Sequence, residues 1–158
     1  FATGAREMFF MLTYDQLNTQ NDRITELTNV LDNLLSDRLL CDSTVTSELF
    51  FRYVDTVKEH LELTDSKLYS QLLTQGDNDI TTTANRFMGG SKEIKRIFAR
   101  YLKKWCQLQK QQLLVKNYDE FTEETKEIFE MVLDRIQDET EHLYPLVRRV
   151  RGDARTAA

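Results

Sequence analysis

The chain has 158 residues, of which 41% are hydrophobic and 30% charged, and its formal net charge is -5 at pH 7. This length suits one domain with its own core, and the single proline and five glycines leave few helix breakers, so we predict an all-α fold. The acidic balance argues against a nucleic-acid partner. No apolar run reaches the ~20 residues that span a bilayer, which argues against a membrane partner.

The two cysteines bear on the cellular location. Cys41 and Cys106 are too few and too far apart to form a disulfide framework. Such usage is typical of a reducing compartment, so we predict a cytoplasmic protein. Cys106 follows a tryptophan in a predicted helix, and we interpret it as a packed side chain rather than a reactive thiol.

The first two predicted helices follow from apolar periodicity and capping residues. The first helix should end near residues 36–40, and residues 42–44 supply candidate N-caps for the second, which runs to about Gln75 before a turn at residues 76–79. The apolar positions of the first helix are Leu17, Ile24, Leu27, Leu31 and Leu34, and those of the second are Phe50, Val54, Val57, Leu61, Leu68 and Leu72.

The second half of the chain predicts two more helices. Residues 81–88 are interpreted as a loop with a short helical piece, because three consecutive threonines resist helix formation. Ser91 should then cap the third helix, residues 117–119 should separate it from the fourth, and Pro145 should kink the fourth near its end. The apolar positions of these helices are Ile94, Ile97, Phe98, Tyr101, Leu102, Trp105 and Leu108, then Phe121, Ile128, Val132, Ile136, Leu143 and Val147.

Four amphipathic helices joined by short loops predict one architecture. We expect residues 1–150 to form a single antiparallel up-down four-helix bundle. Residues 151–158 should be a disordered C-terminal tail.

Polar residues interrupt the apolar seams of three helices at comparable depths. His60 and Thr64 lie four residues apart in the second helix, Arg135 and Glu139 do the same in the fourth, and Asn21 lies between apolar positions of the first. In a closed bundle these five side chains would form a polar layer in the core. Buried polar groups must pair with one another, with water or with a ligand.

Three segments carrying these residues resemble the hemerythrin-like (HHE cation-binding) family. His60-Leu-Glu-Leu-Thr-Asp-Ser-Lys-Leu-Tyr69 is similar to the family's H-x-x-x-E-D-x-x-L-Y-P, and Arg135-Ile-Gln-Asp-Glu-Thr-Glu-His-Leu-Tyr-Pro145 to its H-x-x-x-E-x-E-x-L-Y/F-P. A weaker match is Gln20-Asn-Asp-Arg-Ile24, where the family has E-H-x-x-I. The resemblance covers roughly residues 12–150, and it implies a four-helix bundle around a carboxylate-bridged di-iron centre.

The chain departs from the ligand set that this resemblance implies. The family centre takes about five histidines and two carboxylates, whereas this chain has two histidines in total. Asn21 and Arg135 stand where the family has histidines, and Thr64 stands where it has glutamate. Only His60 and Glu139 are left as a residual metal pair, and Arg135 would both repel a metal and neutralise Glu139. We therefore predict no cofactor, with iron as the alternative.

Other catalytic signatures are weak. Glu139-x-x-His142 has the spacing of ferritin-like di-iron sites, but those need a second copy of the motif, which this sequence lacks. Phosphate-binding loops, nucleophile elbows and cysteine or histidine zinc spacings are also missing from the sequence. We therefore predict that the protein is not an enzyme.

Charge is distributed unevenly along the third and fourth helices. The third carries Lys92, Lys95, Arg96, Arg100, Lys103 and Lys104, and the fourth begins with several acidic residues between positions 119 and 130. We expect about half of these charges to pair between the two helices. The remaining basic residues predict a surface for a protein partner or for another copy of the chain.

Three functions remain open from the sequence. The leading hypothesis is a hemerythrin-like domain that has lost the di-iron centre and acts as a non-catalytic regulatory or protein-interaction module. The alternative is a metal-binding sensor or carrier of oxygen or nitric oxide that uses the residual site. A third hypothesis is an anti-sigma-type transcription regulator, because residues 54–61 resemble a short segment of bacterial anti-sigma proteins.

Overall fold

The protein is a bundle of long helices. The computed structural model describes the backbone of residues 2–75 and 77–156 and the side chains of residues 14–74 and 77–150. Its elements, in chain order, are α1 (Ala2–Leu35), α2 (Arg38–Cys41), α3 (Thr44–Leu63), a π-turn (Thr64–Leu68), α4 (Tyr69–Gln75), α5 (Asn78–Trp105), β1 (Cys106–Gln107), a 3-10 turn (Leu108–Lys110), β2 (Gln112–Leu113), α6 (Tyr118–Asp138), a second π-turn (Glu139–Leu143) and α7 (Tyr144–Thr156).

The long helices close on one another as a ring. α3 packs along α1, α4 packs against α5, and α6 packs against both α5 and α1. The predicted all-α helical bundle is therefore confirmed. None of the described helices is long and apolar enough to cross a membrane.

The described residues form a core of two apolar clusters. One cluster includes Ile24, Phe50, Trp105 and Val132, and the other includes Leu17 together with the residues packed around it. The residues of this second cluster are Leu17, Leu68, Tyr69, Leu72, Ile80, Ala84, Phe87, Leu143, Tyr144, Val147 and Val150. Between the two clusters lie the polar positions predicted from the sequence: Asn21, His60, Thr64, Arg135 and Glu139. A polar layer therefore separates the two apolar halves of the core.

The junction between the first two long helices contains an extra helical turn. α1 ends at Leu35, and the short helix α2 follows, where the sequence predicted the end of a single helix near residues 36–40. The Asp37 carboxylate starts α2 by accepting hydrogen bonds from two backbone N–H groups. Ser43 caps α3, since its Oγ accepts from the Thr46 N–H at 3.2 Å. Ser43 is one of the predicted N-caps.

α5 starts fourteen residues before the predicted position. The loop expected at residues 81–88 is helical, and the N-cap is Asp77, whose Oδ1 accepts from the Ile80 N–H at 3.0 Å. Ser91 is therefore not a cap: it is fully buried in mid-helix and donates to Asp65 Oδ1 at 3.0 Å. Ile80, Ala84, Phe87 and Ser91 continue the buried stripe, and their packing outweighs the low helix propensity of the threonines.

α5 also ends earlier than predicted. It stops at Trp105, and residues 106–113 form a small antiparallel hairpin in which Cys106 pairs with Leu113 and Gln107 with Gln112. Gln111 turns the hairpin in the left-handed region, with φ of 49°. Leu108 was predicted to extend the apolar stripe but is 50% exposed. The periodicity misassigned it because the chain had already left the helix.

The C-terminal helix differs from the prediction in two respects. The irregularity predicted at Pro145 lies one turn earlier, as the π-turn at Glu139–Leu143, and helix resumes at Tyr144. α7 runs to Thr156, so the backbone is helical over residues 151–156, where the sequence predicted a disordered tail. Residues 157 and 158 lie outside the described part of the chain.

Candidate functional site: a buried polar layer on two π-turns

The polar layer is built on the two π-turns. Thr64 opens one and Glu139 opens the other, and the backbone N–H groups of Tyr69 and Tyr144 donate to the carbonyls of these two residues. A π-turn contains one residue more than an α-turn. The residue five positions after its first residue therefore lies on the helix face that the residue four positions later would occupy in a regular α-helix. Tyr69 and Tyr144 are thereby brought onto the same face as Thr64 and Glu139.

His60 and Glu139 form the centre of the layer. His60 Nε2 lies 2.9 Å from Glu139 Oε1 and 3.0 Å from Oε2, and both side chains are almost completely buried. The other ring nitrogen, Nδ1, lies 3.1 Å from Gln20 Oε1 on α1. The imidazole is held at both nitrogens, as a hydrogen-bonded core histidine should be.

Arg135 is the buried counter-charge of this pair. Its Nε lies 3.6 Å from Glu139 Oε1, and its Nη2 donates to Tyr69 Oη at 2.6 Å and to the Phe87 carbonyl at 2.9 Å. The guanidinium also lies over the Phe87 ring, 4.8 Å from its centroid. Arg135 Nε itself has no hydrogen-bond partner among the described residues. The guanidinium thus neutralises Glu139 electrostatically, while its hydrogen bonds go to α4 and α5.

Asn21 and Thr64 are both buried but contribute unequally. Asn21 Nδ2 donates to Tyr144 Oη at 2.7 Å, which links α1 to α7. Thr64 Oγ1 donates back to the Leu61 carbonyl at 2.9 Å within its own helix. All five predicted residues lie in the core, but the Thr64 hydroxyl donates its hydrogen bond to the backbone of its own helix.

The two tyrosines are kept protonated by their surroundings. Burial raises the pKa of Tyr69 to about 12, although the nearby Arg135 guanidinium opposes the rise. Burial raises the pKa of Tyr144 further above its usual range, and the Glu139 charge adds to this effect. Both hydroxyls are neutral hydrogen-bonding groups at physiological pH and can receive the donors of Arg135 and Asn21.

Sequence reasoning missed Gln20, Tyr69 and Tyr144 as members of this layer. Both tyrosines stand in the quoted motif segments, as the Tyr of the Leu-Tyr pair, and that pair was the available signal. A regular helix would place them well away from Thr64 and Glu139, so periodicity alone could not select them. Gln20 is only half-buried, and at its position the apolar periodicity of α1 is not interrupted, so the sequence carries no signal there.

Gly90 provides the space for the Arg135 guanidinium, and Gly89 serves as its control. A Cβ at Gly90 would lie 2.7 Å from Arg135 Nη1, whereas one at Gly89 meets nothing within 4 Å. Alanine in mid-helix gains about 0.5–1 kcal/mol over glycine, so Gly89→Ala should raise the free energy of unfolding by that amount. Gly90→Ala should lower it, because the guanidinium would have to leave its two acceptors. Urea denaturation followed by circular dichroism measures both, and equal gains would show that Arg135 is not held in place.

The residues present do not fit the di-iron centre that the resemblance implies. Among the described residues, no three His, Cys, Asp or Glu side chains come together as a metal-binding group. Both Glu139 oxygens face His60, and a fixed cation lies beside them. His142, the second member of the ferritin-like spacing, is 58% exposed and pairs with Asp138 at 2.9 Å. This donor set suits side-chain pairing rather than two metal ions.

The predicted partner surface lies on α5, where half of its six cations are paired. Lys95 contacts Asp65, Arg96 contacts Glu93, and Lys104 contacts Glu124 at 2.7 Å. Of these six cations, Lys104 alone pairs with α6 among the described residues, fewer than the half that was expected, and Lys95 pairs instead with Asp65 of the first π-turn. Lys92, Arg100 and Lys103 are exposed and have no salt bridge among the described residues.

Comparison with known families supports this description of the fold. A search of proteins of curated function and a search of solved structures found no match. The model of the hemerythrin HHE cation-binding domain matches residues 12–147, which include every member of the polar layer. The chain therefore belongs to the hemerythrin HHE cation-binding family.

Proposed function

We propose that the protein is a hemerythrin-like domain that works without the di-iron centre, as a non-catalytic regulatory or protein-interaction module. The observation that carries this proposal is the hydrogen-bonded contact of both Glu139 oxygens with His60, with Arg135 at 3.6 Å as counter-charge. A metal ion would have to displace both partners and would meet a fixed cation. Side-chain pairing thus takes the place that the metal has in the family.

The bundle offers a surface on which such a module could act. All six residues of the predicted partner surface lie on α5. Three of them have no salt bridge among the described residues, namely Lys92, Arg100 and Lys103. A row of exposed cations favours a partner with an acidic surface, by steering its approach. This supports a protein partner or a second copy of the chain.

Metal content is the test of this proposal. Protein purified without chelators and offered Fe²⁺ under anaerobic conditions should contain substoichiometric iron by plasma mass spectrometry. Its melting temperature should not change on adding a chelator, because no metal contributes to folding. The exposed His142–Asp138 pair could bind metal adventitiously, so His142→Ala is the matched control.

The outcome separates this proposal from the alternative of a metal-binding sensor or carrier of oxygen or nitric oxide. One or more iron ions per chain, retained in His142→Ala and lost in His60→Ala, would overturn the metal-free proposal. A photo-crosslinker in place of Lys92 should capture a partner or a second copy in cells, whereas one at the exposed Lys126 of α6 should not. Equal capture from both positions would remove α5 as the interaction surface.

A further inference from the structure

An open groove of about 1330 Å³ lies between α3 and α5 and is not part of the polar layer. It forms because α3 packs along α1 while α5 packs against α4 and α6, so α3 and α5 make few close backbone approaches. Gln107 and Leu108 of the hairpin lie at the groove, next to the C-terminal end of α5. The groove is larger than the ~300–1,000 Å³ of a usual small-molecule pocket and has room for an elongated ligand.

The floor of the groove is apolar and recessed. Leu61 from α3 and Phe98, Leu102 and Cys106 from the α5 side line it, and each is less than 10% exposed. The rim is polar and includes Gln16 and several charged side chains. An alkyl chain lying in the groove would contact these apolar side chains, and a polar head group would lie at the rim.

Two cations line this groove from different helices. Lys58 on α3 and Lys103 on α5 both line the groove, are exposed, and have no salt bridge among the described residues. Burial raises the pKa of the Cys106 thiol at the floor to about 12, and the charge of the nearby Lys58 opposes this rise. Of the acidic groups at the rim, Glu62 is engaged by Lys95, which leaves Glu59 as the one described carboxylate there without a salt bridge.

We propose that this groove binds a free single-chain amphipathic carboxylate, with its alkyl chain on the Leu61–Phe98–Leu102 floor and its carboxylate between Lys58 and Lys103. The combination of an apolar floor and unpaired ammonium groups matches the two parts of such a ligand. Gln20 also lines the groove and contacts His60, so an occupied groove adjoins the polar layer. This ligand site goes beyond the proposed function and does not depend on it.

Dodecanoate, below its micelle concentration, is the probe. Calorimetric titration of the intact protein should show binding, with chemical-shift changes at the groove residues in a ¹⁵N spectrum. Each methylene added to the chain should tighten the dissociation constant by up to about fourfold. The double variant Lys58→Met/Lys103→Met should weaken dodecanoate binding at least about tenfold.

Two further variants make the result decisive. Lys92→Met/Lys126→Met changes the net charge equally at exposed positions outside the groove and should bind dodecanoate like the parent. Ala99→Trp fills the groove from an exposed position of α5, so the fold should survive, as circular dichroism would verify, and binding should be lost.

Several outcomes would overturn the proposal. These are failure of the parent to bind dodecanoate, unchanged binding by Ala99→Trp, and equally tight binding of dodecyltrimethylammonium. Sedimentation of the protein with phosphatidylglycerol vesicles, lost in Ala99→Trp, would assign the groove to a membrane surface instead. A dimer in analytical ultracentrifugation that Ala99→Trp dissociates would assign it to a second copy of the chain.

Discussion

Replacing Arg135 with alanine is expected to lower the free energy of unfolding by about 3 kcal/mol. Glu139 is fully buried, and the guanidinium at 3.6 Å is its counter-charge. The substitution leaves that carboxylate with His60 alone and deprives Tyr69 Oη and the Phe87 carbonyl of their donor. Urea denaturation monitored by circular dichroism and by Trp105 fluorescence measures the loss.

Arg86 supplies the matched control for this experiment. It also lies over the Phe87 ring and pairs with a carboxylate, Asp138, at 3.3 Å, but its side chain is 56% exposed. Exposed pairs contribute about 0–1 kcal/mol, so Arg86→Ala should have a small effect. Arg135→Met combined with Glu139→Gln should recover part of the loss, because it removes the buried charge with its partner. An Arg135→Ala variant as stable as the parent would show that water reaches Glu139.

His60→Ala is expected to cost at least about 3 kcal/mol of unfolding free energy. The imidazole is 3% exposed, and it contacts both Glu139 oxygens and Gln20 Oε1. Its removal leaves a cavity between α1, α3 and the second π-turn and leaves the carboxylate without a hydrogen-bond donor. Chemical denaturation gives the free energy, and the urea midpoint should fall without a change in slope if the fold is retained.

The second histidine is the natural control. His142 also pairs with a carboxylate, at 2.9 Å from Asp138, but it is 58% exposed, so His142→Ala should cost less than about 1 kcal/mol. Because His60 and Glu139 are in contact, the double variant His60→Ala/Glu139→Ala should lose less than the sum of the single variants. Strict additivity, or equal losses at His60 and His142, would contradict a closed buried pair.

The candidate site could be predicted from the sequence where a polar residue breaks an apolar seam. Asn21, His60, Thr64, Arg135 and Glu139 were selected in this way, and all five lie in the core. Their partners could not be selected in the same way. Tyr69 and Tyr144 reach the layer through the extra residue of each π-turn, and the choice between an α-turn and a π-turn depends on the packing of several helices.

The helix boundaries show the same division. Local signals placed Ser43 among three candidate caps, because a side-chain oxygen that accepts from the next turn makes a short-range interaction. The same reasoning misplaced a cap at Ser91, which lies in mid-helix and donates a hydrogen bond to Asp65 of the first π-turn. Leu108 was misassigned for a related reason: Cys106 and Leu113 pair as strands, and a periodic pattern does not register such a contact.

The sequence by itself determined the all-α bundle and the depletion of metal ligands, because amphipathic periodicity and a total of two histidines are properties of composition and local spacing. Only the tertiary structure decided how the buried charges are neutralised. Arg135 reaches Glu139, Tyr69 and Phe87 because Gly90 leaves room on α5. The groove beside Lys58 and Lys103 likewise exists because α3 and α5 pack on different neighbours, and such three-dimensional complementarity is set by long-range packing, which no single segment encodes.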